Sequence, residues 1–493
     1  MNPRALVAGR APLSTSSASW LVCLGVALLG ALCTLGFAPF AVSPAPTFSL
    51  AALCLLWQRA SNAKHAALFG FAWGCGCFLS GVSWVYVSLH EFGGMAMPLA
   101  ALATLLFCLY LALFPALAGA LYARWRQAAT PAAGLFAGLW TLAEWLRGSL
   151  FTGFPWLAVG YSQTPPSPLA GWAPVLGAYG VSFIVALLAG LLARLCVSGW
   201  RRPRLWLAIF LLLGGGAVLQ HIRWTAPVGQ PLKVALLQGN IPQSLKWDPR
   251  RLDLSVTTYL RLAHDHPADL TVLPETAIPL FFNDIPRDIL RDLTRHGPAL
   301  LGVAIRATDG GYVNGAVLLT PTFTQTKNAE KPGVYAKRHL VPFGEYAPPG
   351  FAWFFQLVNI PLSDFSAGPR EQPPLAIGDQ RLAPNICYED IFGEELLTAL
   401  PTATLLVNLS NTAWFGDSLA QPQHLQIARL RALETGRPML RATNTGMTAL
   451  IAPDGTVQAA LPSFTTAALT VTVQGHRGLT PYARWGNALI LLL

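Results

Sequence analysis

Ala383-Pro384-Asn385-Ile386-Cys387-Tyr388-Glu389-Asp390 decides how this chain is read. An apolar run leads to Cys387 and a polar run follows it, so the pattern predicts a strand that ends in a turn and presents a thiol to a cleft. A lone Cys is more often a buried structural thiol than a nucleophile, so the reading needs partners. Glu275 stands in Leu273-Pro274-Glu275-Thr276-Ala277, where a strand ends at the proline. Lys337 stands in Tyr335-Ala336-Lys337-Arg338-His339-Leu340, ahead of Val341-Pro342-Phe343-Gly344-Glu345. Alone, the first is a solvated loop acid and the second a surface base. Together the three form an acyl-transfer set. A carboxylate takes the thiol proton, the thiolate attacks a carbonyl, and an ammonium stabilises the oxyanion. They are 62 and 50 residues apart, so only the fold can join them.

The sequence around them reads as layered α/β. Leu232–Gln238, Asp269–Leu273, Ala299–Ile305, Val313–Thr320, Ala403–Asn408, Thr448–Ile451 and Ala467–Val473 have strand patterns. Ser255–His264, Ile285–Arg295 and His424–Glu434 have helical spacing. Strands alternating with helices predict an α/β domain, and the stretch is long enough to bury a full core. No G-x-S-x-G, G-x-x-x-x-G-K-[ST] or H-E-x-x-H occurs, and the histidines show no metal-ligand spacing.

The first half has another character. The chain has 493 residues, with 11% charged and a mean hydropathy of +0.46, whereas a soluble domain carries about 25% charged residues. That excludes a disordered chain and weighs against a purely soluble enzyme. Of the 33 bases and 23 acids, twelve and two precede residue 228, so the second half is neutral and the first carries the whole net charge of +10. A nucleic-acid binder would gather its bases on a soluble face; here they separate apolar stretches. Seven such stretches lie near 20–40, 45–58, 66–89, 96–123, 130–150, 167–197 and 204–222, each a candidate span of about 20 residues. The second is short, and 166–180 reads as a re-entrant or interfacial piece.

With the N-terminus inside, Arg4, Arg10, Arg59, Lys64, Arg124, Arg126, Arg194, Arg201, Arg202 and Arg204 fall inside, and only Arg147 and Arg223 outside. Seven cysteines lie in the apolar half and Cys387 is alone in the other, a distribution that is not a disulfide framework. Glu144 and Arg147 are spaced to pair on one helix, with Arg147 near enough to the outer end to meet a headgroup phosphate. A greasy cluster, Phe351, Trp353, Phe354, Phe355 and Leu357, interrupts the soluble half and is expected, with the Phe151–Tyr161 loop, to form a lipid entrance. Ala488–Leu493 is apolar but too short to span a bilayer.

Pro274-Glu275-Thr276, Lys337 through Glu345, and Ile386-Cys387-Tyr388-Glu389 look like the three signatures of the nitrilase, or carbon–nitrogen hydrolase, superfamily. With the apolar half in front, the chain from about 20 to 485 resembles the bacterial apolipoprotein N-acyltransferases. Further matching segments include Thr152-Gly153-Phe154-Pro155-Trp156, Gln238 through Gln243, Lys246-Trp247, Asn411 through Gly416 and Gly478 through Tyr482. The resemblance implies a polytopic helical membrane domain over 1–227 and a nitrilase-like α-β-β-α sandwich over 228–475. Residues 476–493 would begin a final, short transmembrane helix.

It implies Glu275 as general base and acid, Lys337 on the oxyanion and Cys387 as nucleophile. Glu345 would position the triad. Tyr388 and Glu389 would support the nucleophile, the Tyr388 backbone N–H serving as oxyanion donor. Trp247 and Trp414 would line the mouth for a lipid chain, although core tryptophans are nearly as good a reading. The implied reaction is ping-pong, from a phospholipid acyl donor through a Cys387 thioester to a diacylglyceryl-modified lipoprotein. It needs no metal or cofactor and no nucleic acid. The protein would be a monomer of the bacterial cytoplasmic (inner) membrane, with its catalytic domain on the periplasmic side. A membrane-tethered amidase, and less readily a membrane receptor or transporter, stay open.

Overall fold

The computed structural model describes residues 19–126, 132–246, 252–307, 310–325, 331–350 and 364–492. Two six-stranded sheets form the second half. One runs in the order Ala467–Val473, Leu232–Gln238, Leu270–Val272, Ala299–Arg306, Tyr312–Leu319, Gly333–Ala336. The other runs Val457–Ala460, Ala449–Ile451, Met439–Thr443, Leu405–Ser410, Gln380–Ile386, Leu375–Ile377. Each has a parallel centre and antiparallel flanks.

Alternation along the strands builds the layers. Val234 and Leu236 join Leu300, Leu405, Val407 and Leu440 in the core between the sheets. Their neighbours Ala235 and Leu237 pack outward on Val256, Tyr259 and Leu262 of the helix Leu252–Asp265. On the other side, Leu406 and Met439 pack on Leu425, Ala428 and Ala432 of the helix Ala420–Thr435. The result is the expected α-β-β-α sandwich. Two of its strands carry no apolar run in sequence. Gly333–Ala336 has four residues, and Met439–Thr443 has Arg441 at its centre.

The apolar half forms helices at Ser19–Cys33, Ala45–Arg59, Ala63–Gly81, Met97–Trp125, Ala133–Ser149, Ala173–Ser198 and Pro203–Leu219. Among the described residues, Met97–Trp125 and Pro168–Ser198 are each long and apolar enough to cross a membrane. Ala63–Gly81 with Val85–Phe92, bent by 58°, makes a third if counted as one span. Arg126, expected as a loop charge, also donates to the carbonyls of Trp57, Gln58 and Ala60. It thereby caps the Ala45–Arg59 helix at its negative end.

The two halves meet on the Ala420–Thr435 helix. Its Ile427, Leu430 and Leu433 belong to the same core as the membrane helices, while the opposite face lies on the sheet. Gly177 shapes that contact. It breaks the Ala173–Ser198 helix with φ 69° and ψ −175°, a region closed to residues with a Cβ. Glu434 Oε2 accepts the Ala178 N–H at 3.2 Å, satisfying a donor at the break. A Cβ on Gly177 would lie 2.2 Å from the Tyr482 ring. Gly177→Ala is therefore expected to cost about 2–4 kcal/mol. The check is the thermal midpoint of the detergent-solubilised protein; an unmoved midpoint would refute the need for this kink.

Candidate active site

Glu275, Lys337 and Cys387 each follow the carboxyl end of a strand, after Leu270–Val272, Gly333–Ala336 and Gln380–Ile386. All three are buried, and the fold brings them into one electrostatic cluster. Lys337 Nζ lies 2.9 and 2.8 Å from Glu345 Oε1 and Oε2, and 3.6 Å from Glu275 Oε1. Asn314 Nδ2 donates to Glu275 Oε1 at 2.7 Å and to Glu345 Oε1 at 2.8 Å. The Asn411 N–H donates to Glu275 Oε2 at 2.8 Å, so the second sheet also orients the carboxylate.

Burial would push the Lys337 ammonium down, but the Glu345 and Glu275 carboxylates outweigh it and hold it above the usual lysine range. Burial, with Glu275 beside it, pushes the Cys387 thiol up against the pull of Lys337. At rest the site therefore holds a thiol beside an oriented carboxylate. That arrangement needs a base during attack, and Glu275 is the carboxylate in place to serve.

The turn that carries Cys387 is strained. Cys387 has φ 53°, a conformation that costs a non-glycine residue about 1–3 kcal/mol. Asn240, Thr276 and Phe343, on the neighbouring strand ends and loops, also have positive φ. Glu389 holds the turn. Its carboxylate accepts the N–H groups of Ile386 at 2.7 Å, Arg338 at 2.7 Å and His339 at 3.2 Å, and the Tyr335 hydroxyl at 2.9 Å. It thus ties the Lys337 segment to the Cys387 turn. Burial pushes the Glu389 carboxyl above the usual carboxylate range, and these donors oppose that shift.

Beneath the turn, Asp390 accepts from His424 Nε2 at 2.6 Å and from Arg441 Nη1 at 3.0 Å. Arg441 Nη2 lies 2.8 Å from His424 Nδ1. Because guanidinium can only donate, His424 is the neutral tautomer with its proton on Nε2. Burial and Arg441 lower its basicity in the same direction.

Tyr388 turns its ring toward the membrane half and donates from its hydroxyl to the Gly153 carbonyl at 2.9 Å. Trp414 is half-buried, with its carbonyl on Ser88 Oγ at 2.7 Å and its ring 6.2 Å from Phe92. Trp247 and the cluster from Phe351 to Leu357 lie outside the described residues. Glu144 and Arg147 do not pair with each other. Glu144 Oε1 accepts from Trp140 Nε1 and the Val159 N–H. Arg147 is 3% exposed and donates to the Phe154 and Trp156 carbonyls, so it reaches no headgroup. The guanidinium is held instead by the two backbone carbonyls that the following loop brings to it.

Asn314 escaped the sequence reading, although an Asn inside the apolar run Tyr312–Leu319 was the signal: a buried strand amide must have partners. Asn314→Ala is expected to slow acyl transfer by about 10–100-fold with the thermal midpoint little changed. Initial rates on the purified protein check this, and wild-type rates would remove Asn314 from the site.

A carbon–nitrogen hydrolase sandwich joined to a helical membrane region is the class that fold and site define. Residues 29–191 match the family model of the apolipoprotein N-acyltransferase N-terminal domain, and residues 233–482 match that of carbon–nitrogen hydrolase. The chain is 50% identical over 475 residues to the apolipoprotein N-acyltransferase of Nitrosomonas europaea, covering 94% of each chain. It is 48% identical to that of Ralstonia nicotianae, covering 94% of this chain and 89% of the relative. Among solved structures, an amidase from Nesterenkonia sp. aligns at 19% identity and a TM-score of 0.38, over 55% of this chain and 96% of the amidase. The chain belongs to the apolipoprotein N-acyltransferase family, and it is a membrane enzyme of that family.

Proposed function

We propose that this enzyme moves a fatty acyl chain from a membrane phospholipid, through a thioester on Cys387, to the α-amine of the diacylglyceryl-cysteine that begins an apolipoprotein. Glu275 takes the Cys387 proton and the thiolate attacks the ester carbonyl. Lys337 stabilises the oxyanion, and the proton returns to the departing lysophospholipid hydroxyl. In the second half the amine attacks the thioester, Glu275 takes its proton and passes it to the leaving thiol. Glu345, Tyr388 and Glu389 support the triad, and Trp414 lines the lipid mouth.

One observation carries the lipid reading: the nucleophile turn is seated on the membrane half. The Tyr388 hydroxyl bonds Gly153 and the Tyr161 hydroxyl bonds the Ile391 carbonyl, both at 2.9 Å. Next to Gly153, Phe151 stands 85% exposed with φ 51°, an apolar side chain fit to meet acyl chains. Keeping those chains out of water is worth about 0.8 kcal/mol per CH₂, a gain a soluble amidase would not use.

The ten-to-two division of basic residues supports seven crossings of the cytoplasmic membrane, with the sandwich, over 228–475, on the periplasmic side. The test is incubation of the purified protein with phospholipid, followed by mass spectrometry of the Cys387 peptide. An acyl thioester and released lysophospholipid are expected. Hydrolysis of small amides without any thioester would assign the site to an amidase instead.

A further inference from the structure

Lys246 ends the short helix Gln243–Lys246 and is 2% exposed. Lysine is almost never fully buried unless paired, yet among the described residues Lys246 makes no ion pair. Its ammonium instead donates to the Glu275 carbonyl at 3.1 Å and to Thr276 Oγ1 at 2.8 Å. Thr276 has φ 44°, so the ammonium braces a strained turn immediately after the candidate base. The helix itself is tied to the same wall, because Gln243 Oε1 accepts from Asn411 Nδ2 at 2.8 Å and the Asn411 N–H bonds Glu275.

The charges around Cys387 give this placement a purpose. Lys337 faces two carboxylates, Glu345 and Glu275, and one ammonium balances only one of them. Moving the Cys387 proton to Glu275 transfers the negative charge from carboxylate to sulfur and leaves the total unchanged. Asp390 has its own cation in Arg441, and Glu389 is held by backbone donors and Tyr335. A second cation is therefore needed before and after the proton moves. The titratable groups that face Lys246 are Glu275 and Cys387, with Lys337 and Glu345 meeting Glu275 at its carboxylate. Burial pushes the Lys246 ammonium down to about 8 against the pull of those two groups.

We propose that Lys246 is a positioning residue of the acyl-transfer reaction, which fixes the Glu275–Thr276 turn and supplies the second positive charge against which the Cys387 thiolate forms. The inference rests on Cys387 as the nucleophile.

The test follows alkylation of Cys387 by iodoacetamide in the full-length, detergent-solubilised protein, from about pH 6 to about pH 10, by mass spectrometry of the Cys387 peptide. In Lys246→Met, alkylation at about pH 7, where the wild-type ammonium keeps its proton, is expected to fall about tenfold, with the profile displaced upward by roughly one unit. Lys246→Arg keeps the charge and is expected to stay within about threefold of wild type. A role in packing alone would slow both variants and leave the pH midpoint unmoved. A folded Lys246→Met with the wild-type midpoint would therefore overturn the proposal. If Lys246→Met does not fold, Lys246→Arg decides: a wild-type profile supports the charge, and a tenfold loss overturns it. Failure of wild-type enzyme to form a phospholipid-derived thioester would sink the Cys387 reading separately, since the alkylation profiles need no lipid.

Discussion

Cys387→Ala is expected to abolish acyl transfer, by about 10⁴-fold or more, and to leave no acyl group on the enzyme. In the reaction proposed above the sulfur both attacks the ester and carries the acyl chain, so neither half would survive its removal. The fold should survive, because loss of one small side chain atom costs only about 1 kcal/mol and Ala keeps the same backbone strain that Cys387 bears at φ 53°. Cys387→Ser is expected to be nearly as inactive. A serine hydroxyl is much less acidic than a thiol and lies beyond the reach of a carboxylate base without a stronger activator. Labelled phospholipid and a native gel of the variant provide the measurement. A labelled Ala variant would mean that another residue carries the acyl group.

Lys337→Met is expected to stop thioester formation, by about 10³-fold or more, and to destabilise the protein as well. The variant leaves Glu275 and Glu345 facing each other around Asn314 with their shared cation gone. Two such carboxylates tend to hold one proton between them, and a protonated Glu275 cannot take the proton of Cys387. Leaving buried charge unpaired costs about 3–5 kcal/mol.

The pH dependence has a definite sign. The carboxylates hold the Lys337 ammonium above its ordinary value in the folded protein. Its stabilising contribution is therefore complete below the unfolded lysine value of about 10.4 and is lost as pH rises through the folded one. Thermal midpoints of wild type and variant between about pH 7 and about pH 11 test this: the gap is expected to hold steady up to about pH 10 and to narrow above it. Thioester formation at the wild-type rate in the variant would refute the role given to Lys337.

Much of the site was legible because its residues interrupt strong patterns. Glu275 follows a strand and a proline, and Cys387 ends an apolar run, so each announces a strand end facing a cleft. The seven apolar stretches gave seven helices, since burial or lipid exposure of every face removes polar residues from all of them. The strand that presents Lys337 was hidden: at four residues it is too short to show a period. Lys246 and Asn314 were hidden for another reason. Each is one polar residue whose meaning depends on partners 29 to 39 residues away.

The sequence by itself therefore determined the two halves and the layered α/β character, because period and composition are local properties. Only the tertiary structure decided which charges face each other. It left Glu144 and Arg147 without an ion pair although their spacing permits contact, and it set Lys337 against the two carboxylates of Glu275 and Glu345. The physical reason is that an ion pair reflects competition among all donors and acceptors within a few ångströms. Here the carbonyls of Phe154 and Trp156 took Arg147, and Glu345 took Lys337.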